Sequence, residues 1–272
     1  MDMGSIVLVT PNGRRYWLSL MFSMVIQSFG LAQAANPDAA ILVYHRFGPT
    51  VADSMTTRTA TFVAQLSRLR RAGYNILPLT TVVAGLQGGL VLQPKTVAIT
   101  VDDGHRTVYT DLLPIIRRER LPVALFIYPS AISNAPYAMT WDQLREIVAT
   151  GLVEVHSHTY WHPDFRIERK RRPPSEYRQF VRDQLEKSRS VLNSKLGVDA
   201  DYLAWPYGFH DSELDAAALS AGYHAAFILG GRHATSSDPV LALPRYLIVD
   251  ATGVDGLIRR LRAGEPSVAS PP

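Results

Sequence analysis

The sequence predicts an α/β barrel, and three observations predict it. Apolar runs of strand length alternate with helical segments, about eight such runs follow one another without a linker, and polar residues capable of chemistry cluster just after the runs end. Alternation of this kind implies parallel pairing, because each strand needs a helical crossover before the next can start from the same end. A count near eight favours a closed sheet over an open one. In a closed barrel all strand C-termini share one face, where active sites are built.

The elements run as follows. Residues 39–44 (AAILVY) are continuously apolar, as in a strand buried on both faces, and His45 sits at their end. Phe62, Leu66 and Leu69 recur at helical spacing over 61–72, and Gly73 stops that helix. Residues 75–79 and 96–101 (TVAITV) read as strands, the second closed by Asp102-Asp103-Gly104. A helix over 111–120 leads to the strand 123–128 (VALFIY). Thr140 caps a helix holding Leu144, Ile147 and Val148, which ends at Gly151. The strand 152–155 then runs into 156–162, where three histidines crowd together. A long amphipathic helix over 175–196 stops at Gly197, and the strand 202–205 leads into Pro206-Tyr207-Gly208. A helix over 212–221 and strands at 225–229 and 243–249 complete the set.

Composition limits the function. The chain has 272 residues, 47% apolar and 19% charged, enough to bury one sizeable core. The net charge of +4 is scattered, and no basic stripe interleaved with aromatics suggests a nucleic-acid partner. The densest basic run, 166–172, contains Glu168 and reads as a solvated loop. With no cysteine, the chain has no disulfide and no thiolate metal site, so any metal ligand must be His or carboxylate. Arg14-Arg15, an apolar run over 16–31 and then Ala32-Gln33-Ala34 form the pattern of a secretory signal. Ser19, Ser23, Gln27 and Ser28 interrupt that run, whereas a membrane-spanning helix needs about 20 mostly apolar residues. The expected organisation is therefore a signal peptide at 1–34, one catalytic domain at 35–265 and a disordered tail at 266–272. The product would be an exported monomer, periplasmic or extracellular, without a stable membrane span.

Three segments carry chemistry. Asp102-Asp103-Gly104 could be only a turn, since Asp-Gly is common turn chemistry. Alternatively, one carboxylate ligates a cation while its neighbour stays free as a base, both kept ionised by the cation's field. His158 and His162, four apart, can converge on one ion through neutral imidazoles. One carboxylate with two histidines leaves open positions for water and substrate, as in hydrolytic metal sites. Trp205-Pro206-Tyr207-Gly208 is either a rigid corner or an amide aimed at an oxyanion, with aromatic rings as a wall for sugar.

In this order the three segments resemble the polysaccharide deacetylases with a NodB-like domain, carbohydrate esterase family 4. Thr100-Val101-Asp102-Asp103-Gly104 is similar to that family's Thr-Phe-Asp-Asp-Gly motif, and His158-Thr159-Tyr160-Trp161-His162 to its His-(Ser/Thr)-x-x-His motif. The resemblance implies a distorted (β/α)7 barrel. It also implies Asp102 as general base, and Asp103, His158 and His162 as ligands of a divalent metal, Zn2+ or else Ni2+ or Co2+. Thr159 would steady the second motif, and the Tyr207 amide would help hold an oxyanion, with Trp205 and Pro206 shaping the turn.

Two departures stand out. The family usually has Arg in its third motif, close to where Ala204 stands here. The family's late Leu-x-His segment corresponds to 243–248, which has no His. Residues 42–47 (LVYHRF) resemble the first segment of a permuted branch that includes poly-β-1,6-N-acetylglucosamine deacetylases, in which that His has moved to the front. Trp141 and the run 202–208 resemble that branch too. The resemblance therefore implies His45 as general acid, and Arg245 could orient Asp102 in place of the missing Arg. The expected reaction is removal of N-acetyl groups from an N-acetylglucosamine polymer, poly-β-1,6-linked in the favoured reading. Chitooligosaccharide, peptidoglycan or acetylxylan as substrate, or a non-catalytic carbohydrate-binding protein, are the alternatives.

Overall fold

The computed structural model describes residues 37–264 and two short strands, Val7–Val9 and Arg15–Trp17, which pair antiparallel. Those two strands belong to a unit, Met1–Ala35, separate from the compact unit that begins at Asn36. Most of the expected signal, including Ala32-Gln33-Ala34, and the expected tail lie outside the described residues. Among the described residues no helix is long and apolar enough to cross a membrane.

Seven strands form the barrel: β1 Asp38–Tyr44, β2 Thr96–Asp103, β3 Val123–Ile127, β4 Val153–Ser157, β5 Tyr202–Ala204, β6 Ala225–Leu229 and β7 Leu243–Leu247. Each pairs in parallel with the next in the chain. Strand β7 returns to β1 through Tyr246↔Leu42 and Leu247↔Val43, so the sheet closes. The expected (β/α)7 barrel is the architecture found.

Side chains alternate across each strand, and the two faces separate into two clusters. Ala40, Leu42, Val97, Ile99, Val101, Val153 and Val155 pack outward with Phe62, Leu66 and Leu69 of helix α1 (Thr59–Arg71). Ala39, Ile41, Ala98, Ala124, Phe126, Ala225 and Phe227 fill the interior. Helix α2 (Leu79–Leu86) packs Leu79, Val82, Val83 and Leu86 on those interior alanines, closing the end from which the strands start. Near the opposite end the inward positions turn polar. Ala98 is followed on its face by Thr100 and Asp102, Glu154 by His156 and His158, and Leu243 by Arg245. The periodicity that builds the core thus also delivers the polar groups to one end.

Several elements depart from expectation. The strand expected at 75–79 shrinks to Asn75–Ile76, paired only with the start of β2, because α2 begins at Leu79 behind Pro78. Eight apolar runs therefore give seven barrel strands. The basic run at 166–172 is not a solvated loop but mostly a short helix, Phe165–Arg171, whose N-cap Asp164 accepts from the Arg166 amide. Its arginines are paired: Arg166 with Asp164, Arg169 with Asp211 and Glu213, Arg171 and Arg172 with Glu168. An unexpected last helix, Val254–Gly264, buries Leu257, Ile258 and Leu261. Helix Trp141–Val148 has the anticipated Thr140 cap, completed by Gln143 as a reciprocal capping box.

Candidate metal centre and its neighbours

Asp103, His158 and His162 come together at the C-terminal end of the barrel, with one ligand-type atom from each lying within 4.8 Å of the others. Asp103 ends β2, and His158 follows β4 directly, its amide donating to the Ile127 carbonyl at 2.8 Å. Both histidine Nε2 atoms lie 3.8 Å from Asp103 Oδ1. Zinc-type bonds of about 2.0–2.2 Å put tetrahedral ligand atoms about 3.3–3.6 Å apart, so the three donors need only close slightly to hold a small divalent cation.

The protonation states suit a cation. His158 Nδ1 is 2.7 Å from the Ala204 carbonyl and must donate to it, which leaves the lone pair on Nε2, facing Asp103. Burial pushes the His158 pKa down to about 4 against the pull of Asp102, so the ring is neutral at ordinary pH. His162 lies between two phenol rings, with centroids 4.8 Å from Tyr207 and 5.5 Å from Tyr128. Its amide donates to Thr159 Oγ1 at 3.1 Å, and Thr159 is fully buried, its own amide donating to Ser157 Oγ.

Asp102 is buried beside this triad and faces Arg245 across the barrel. The guanidinium forks onto the carboxylate at 2.8 and 2.7 Å and also donates to Thr100 Oγ1 at 3.1 Å. Burial alone would raise the Asp102 pKa, but Arg245, with His158 and His45, outweighs it and holds the group at about 2. Arg245 is itself 1% exposed, lying over the Phe126 and Phe227 rings. The site therefore keeps one carboxylate ionised through a fixed internal cation and a second carboxylate open toward the two histidines.

Backbone strain concentrates here as well. Of the seven non-glycine residues with positive φ among the described residues, four are Asp103 (75°), Thr159 (64°), His162 (63°) and Tyr207 (58°). Such conformations cost about 1–3 kcal/mol each and persist where the surroundings over-determine them, typically at functional sites. The turn at Tyr207 is closed by donations from Gly208 and Phe209 to Trp205 and Pro206, which leaves the Tyr207 N–H outside its ladder. Gly208 is required there: at φ +69° a Cβ would come within 2.8 Å of the Leu229 amide nitrogen.

A family model described as polysaccharide deacetylase matches residues 91–226, half of the chain. The chain belongs to this family. The matched stretch contains Asp102, Asp103, His158, Thr159, His162 and Tyr207 but neither His45 nor Arg245. Among curated relatives, the poly-beta-1,6-N-acetyl-D-glucosamine N-deacetylase of Escherichia coli K12 is 26% identical over 243 residues, covering 76% of this chain and 36% of that protein. A protein of the same name from Staphylococcus aureus MRSA252 is 24% identical over 170 residues, covering 61% and 58%. The chain thus spans only about a third of the length of the Escherichia coli relative. Among solved structures, the deacetylase PplD of Streptococcus pyogenes superposes with a TM-score of 0.74 at 19% identity, covering 85% of this chain and 100% of that one. IcaB from Ammonifex degensii gives 0.71 at 24% identity, covering 83% and 97%. At these identities the two structures establish the shared fold.

The remaining candidates lie around this cluster or pack beneath it. His45 follows β1 at the same end of the barrel, and its buried Nδ1 has no hydrogen-bond partner. Trp205 is not a wall for sugar: it is 1% exposed, donates through Nε1 to the Leu241 carbonyl and packs on Phe165. With buried Pro206 it fixes the turn, while Tyr207, 58% exposed, presents the open ring. His233 is buried and bonded to Asp38. His156 lies inside the barrel against Tyr202 and Phe126. No motif marks Tyr128, whose hydroxyl meets that of Tyr137 at 2.8 Å while its ring braces His162.

Proposed function

We propose that the chain is an exported, metal-dependent polysaccharide N-deacetylase acting on an N-acetylglucosamine polymer, with poly-β-1,6-N-acetylglucosamine the favoured substrate. One observation carries the reading: an ionised carboxylate clamped by a buried arginine lies next to an Asp-His-His set of metal-ligand type. The relatives named as poly-beta-1,6-N-acetyl-D-glucosamine N-deacetylases support the substrate, and the signal-like segment supports export.

Asp103, His158 and His162 would hold the cation, Zn2+ in the favoured reading with Ni2+ or Co2+ as alternatives. When bound, such an ion supplies Lewis-acid polarisation of a carbonyl and lowers the pKa of water. Asp102 is the base. Arg245, with His158 and His45, keeps it ionised at ordinary pH, so it can accept a proton from a water that the cation has made more acidic. Arg245 fixes the orientation of both Asp102 oxygens. The Tyr207 N–H, free of the turn's own bonds, is the amide that would meet the developing oxyanion, a contact of a kind worth about 3–4 kcal/mol. His45 is the acid. Its position just after β1, at the same end of the barrel as Asp102, supports this role, in which it would give a proton to the departing sugar amine. Water adds to the acetyl carbon, the C–N bond breaks, and acetate and a free amine result.

The test is acetate release from a panel of poly-β-1,6-N-acetylglucosamine, chitooligosaccharides, peptidoglycan and acetylxylan. The expected result is release that is fastest from the β-1,6 polymer. Faster release from another member would move the substrate, and no release from any would leave only a carbohydrate-binding role.

A further inference from the structure

Away from the centre, a groove of about 810 Å3 lies beside the long helix Pro174–Leu196, lined by Tyr160, Trp161, Arg172, Phe180, Gln184 and Lys187 among others. That is the size of a small-molecule pocket, typically about 300–1,000 Å3. Tyr160 and Trp161 are the two residues between Thr159 and His162, so one loop walls the centre on one side and the groove on the other. The loop is tied to the helix by the Trp161 amide, which donates to Gln184 Oε1 at 3.1 Å. A second cavity of about 440 Å3 shares Glu186 and Ser190 with the first and continues to Asn193 and Asp199. Together they form a trench. From Phe180 to Asn193 it follows about 20 Å of helix, too long for one monosaccharide.

The lining selects the occupant. Arg172 is paired with Glu168 and stacked on Phe180 at 4.0 Å, and Lys187 covers Tyr160 at 4.1 Å. Asp183 and Glu186 balance these two cations, so the groove carries no net charge to attract a polyanion. Two of its three aromatic rings are thus occupied by cations. Trp161 is 42% exposed, with only the Phe180 ring edge-on at 5.9 Å, and offers the open face. An indole face beside amide, ammonium and carboxylate groups is suited to a neutral pyranose, whose C–H face stacks while its hydroxyls and N-acetyl group find polar partners.

We propose that this trench is a second glycan site, holding a stretch of the N-acetylated polymer remote from the sugar being deacetylated. The inference rests on the deacetylase reading above. Trp161→Ala should raise KM for soluble poly-β-1,6-N-acetylglucosamine about fivefold to tenfold with kcat unchanged, the mark of lost uniform binding. Kinetics on the disaccharide should not change, and Trp161→Phe should restore most of the loss. Polymer kinetics equal to wild type would overturn the proposal, and so would equal losses on disaccharide and polymer, which would make Trp161 a structural part of the loop. Retardation in gels containing the polymer provides a readout free of catalysis. It should weaken in Trp161→Ala; unchanged retardation, or stronger retardation by a polyanion such as polygalacturonate, would overturn the proposal. If the wild type releases no acetate from any glycan, the deacetylase reading fails and the gel alone decides the trench.

Discussion

Arg245→Met should lower the stability of the metal-stripped protein by about 3–5 kcal/mol, because it leaves a buried carboxylate without its counter-charge. Asp102 is 3% exposed and Arg245 1%, and two short bonds join them, so neither group can turn to water when the other is removed. Asp102→Asn should be costly for the mirror-image reason, since a guanidinium is then stranded against Phe126 and Phe227. The double variant should be more stable than the sum of the two losses predicts, because removing a buried pair together is often near neutral. Urea unfolding of the four proteins measures the coupling. Additive losses would show that the pair is not a unit and that Asp102 gains its ionised state elsewhere.

His162→Ala should empty the metal centre while leaving the fold intact. The ring is held at the rim, partly exposed, between Tyr128 and Tyr207, so its removal opens little of the core. Removing even an outer-shell partner of a ligand costs about 10–100-fold in metal affinity, and loss of a direct ligand should exceed that. Elemental analysis should find about one zinc-type ion per wild-type chain. In the variant it should find almost none, with acetate release reduced at least about a hundredfold. Full occupancy in the variant would remove His162 from the ligand set.

The legible part of the fold was the part written in periodicity. Runs such as AAILVY and TVAITV announce buried parallel strands, and their ends announced Asp102-Asp103 and His158. Thr140 and Gly197 marked helix ends correctly because capping is local chemistry. What failed depended on distant partners. The run 166–172 reads as solvated because its charges look unpaired, yet Arg169 finds Asp211 and Glu213 about forty residues on. Leu79–Leu86 has a β-branched composition but becomes a helix because the end of the barrel needs a plug. Arg245 reaches Asp102 across 143 residues, and only the closure of β7 onto β1 puts both in one interior. Trp205 looked like a sugar wall because aromatic-Pro-aromatic-Gly says nothing about which ring is buried.

The most direct measurement is of bound metal and acetate release on one preparation of Asp102→Asn, with poly-β-1,6-N-acetylglucosamine as substrate. A base that is not a ligand can be lost without losing the cation. The expected result is about one divalent ion per chain, as in the wild type, with turnover reduced about a hundredfold to ten-thousandfold, the usual range for a general base. Turnover close to wild type, or loss of the ion along with the activity, would contradict the division of labour between Asp102 and the Asp103-His158-His162 set.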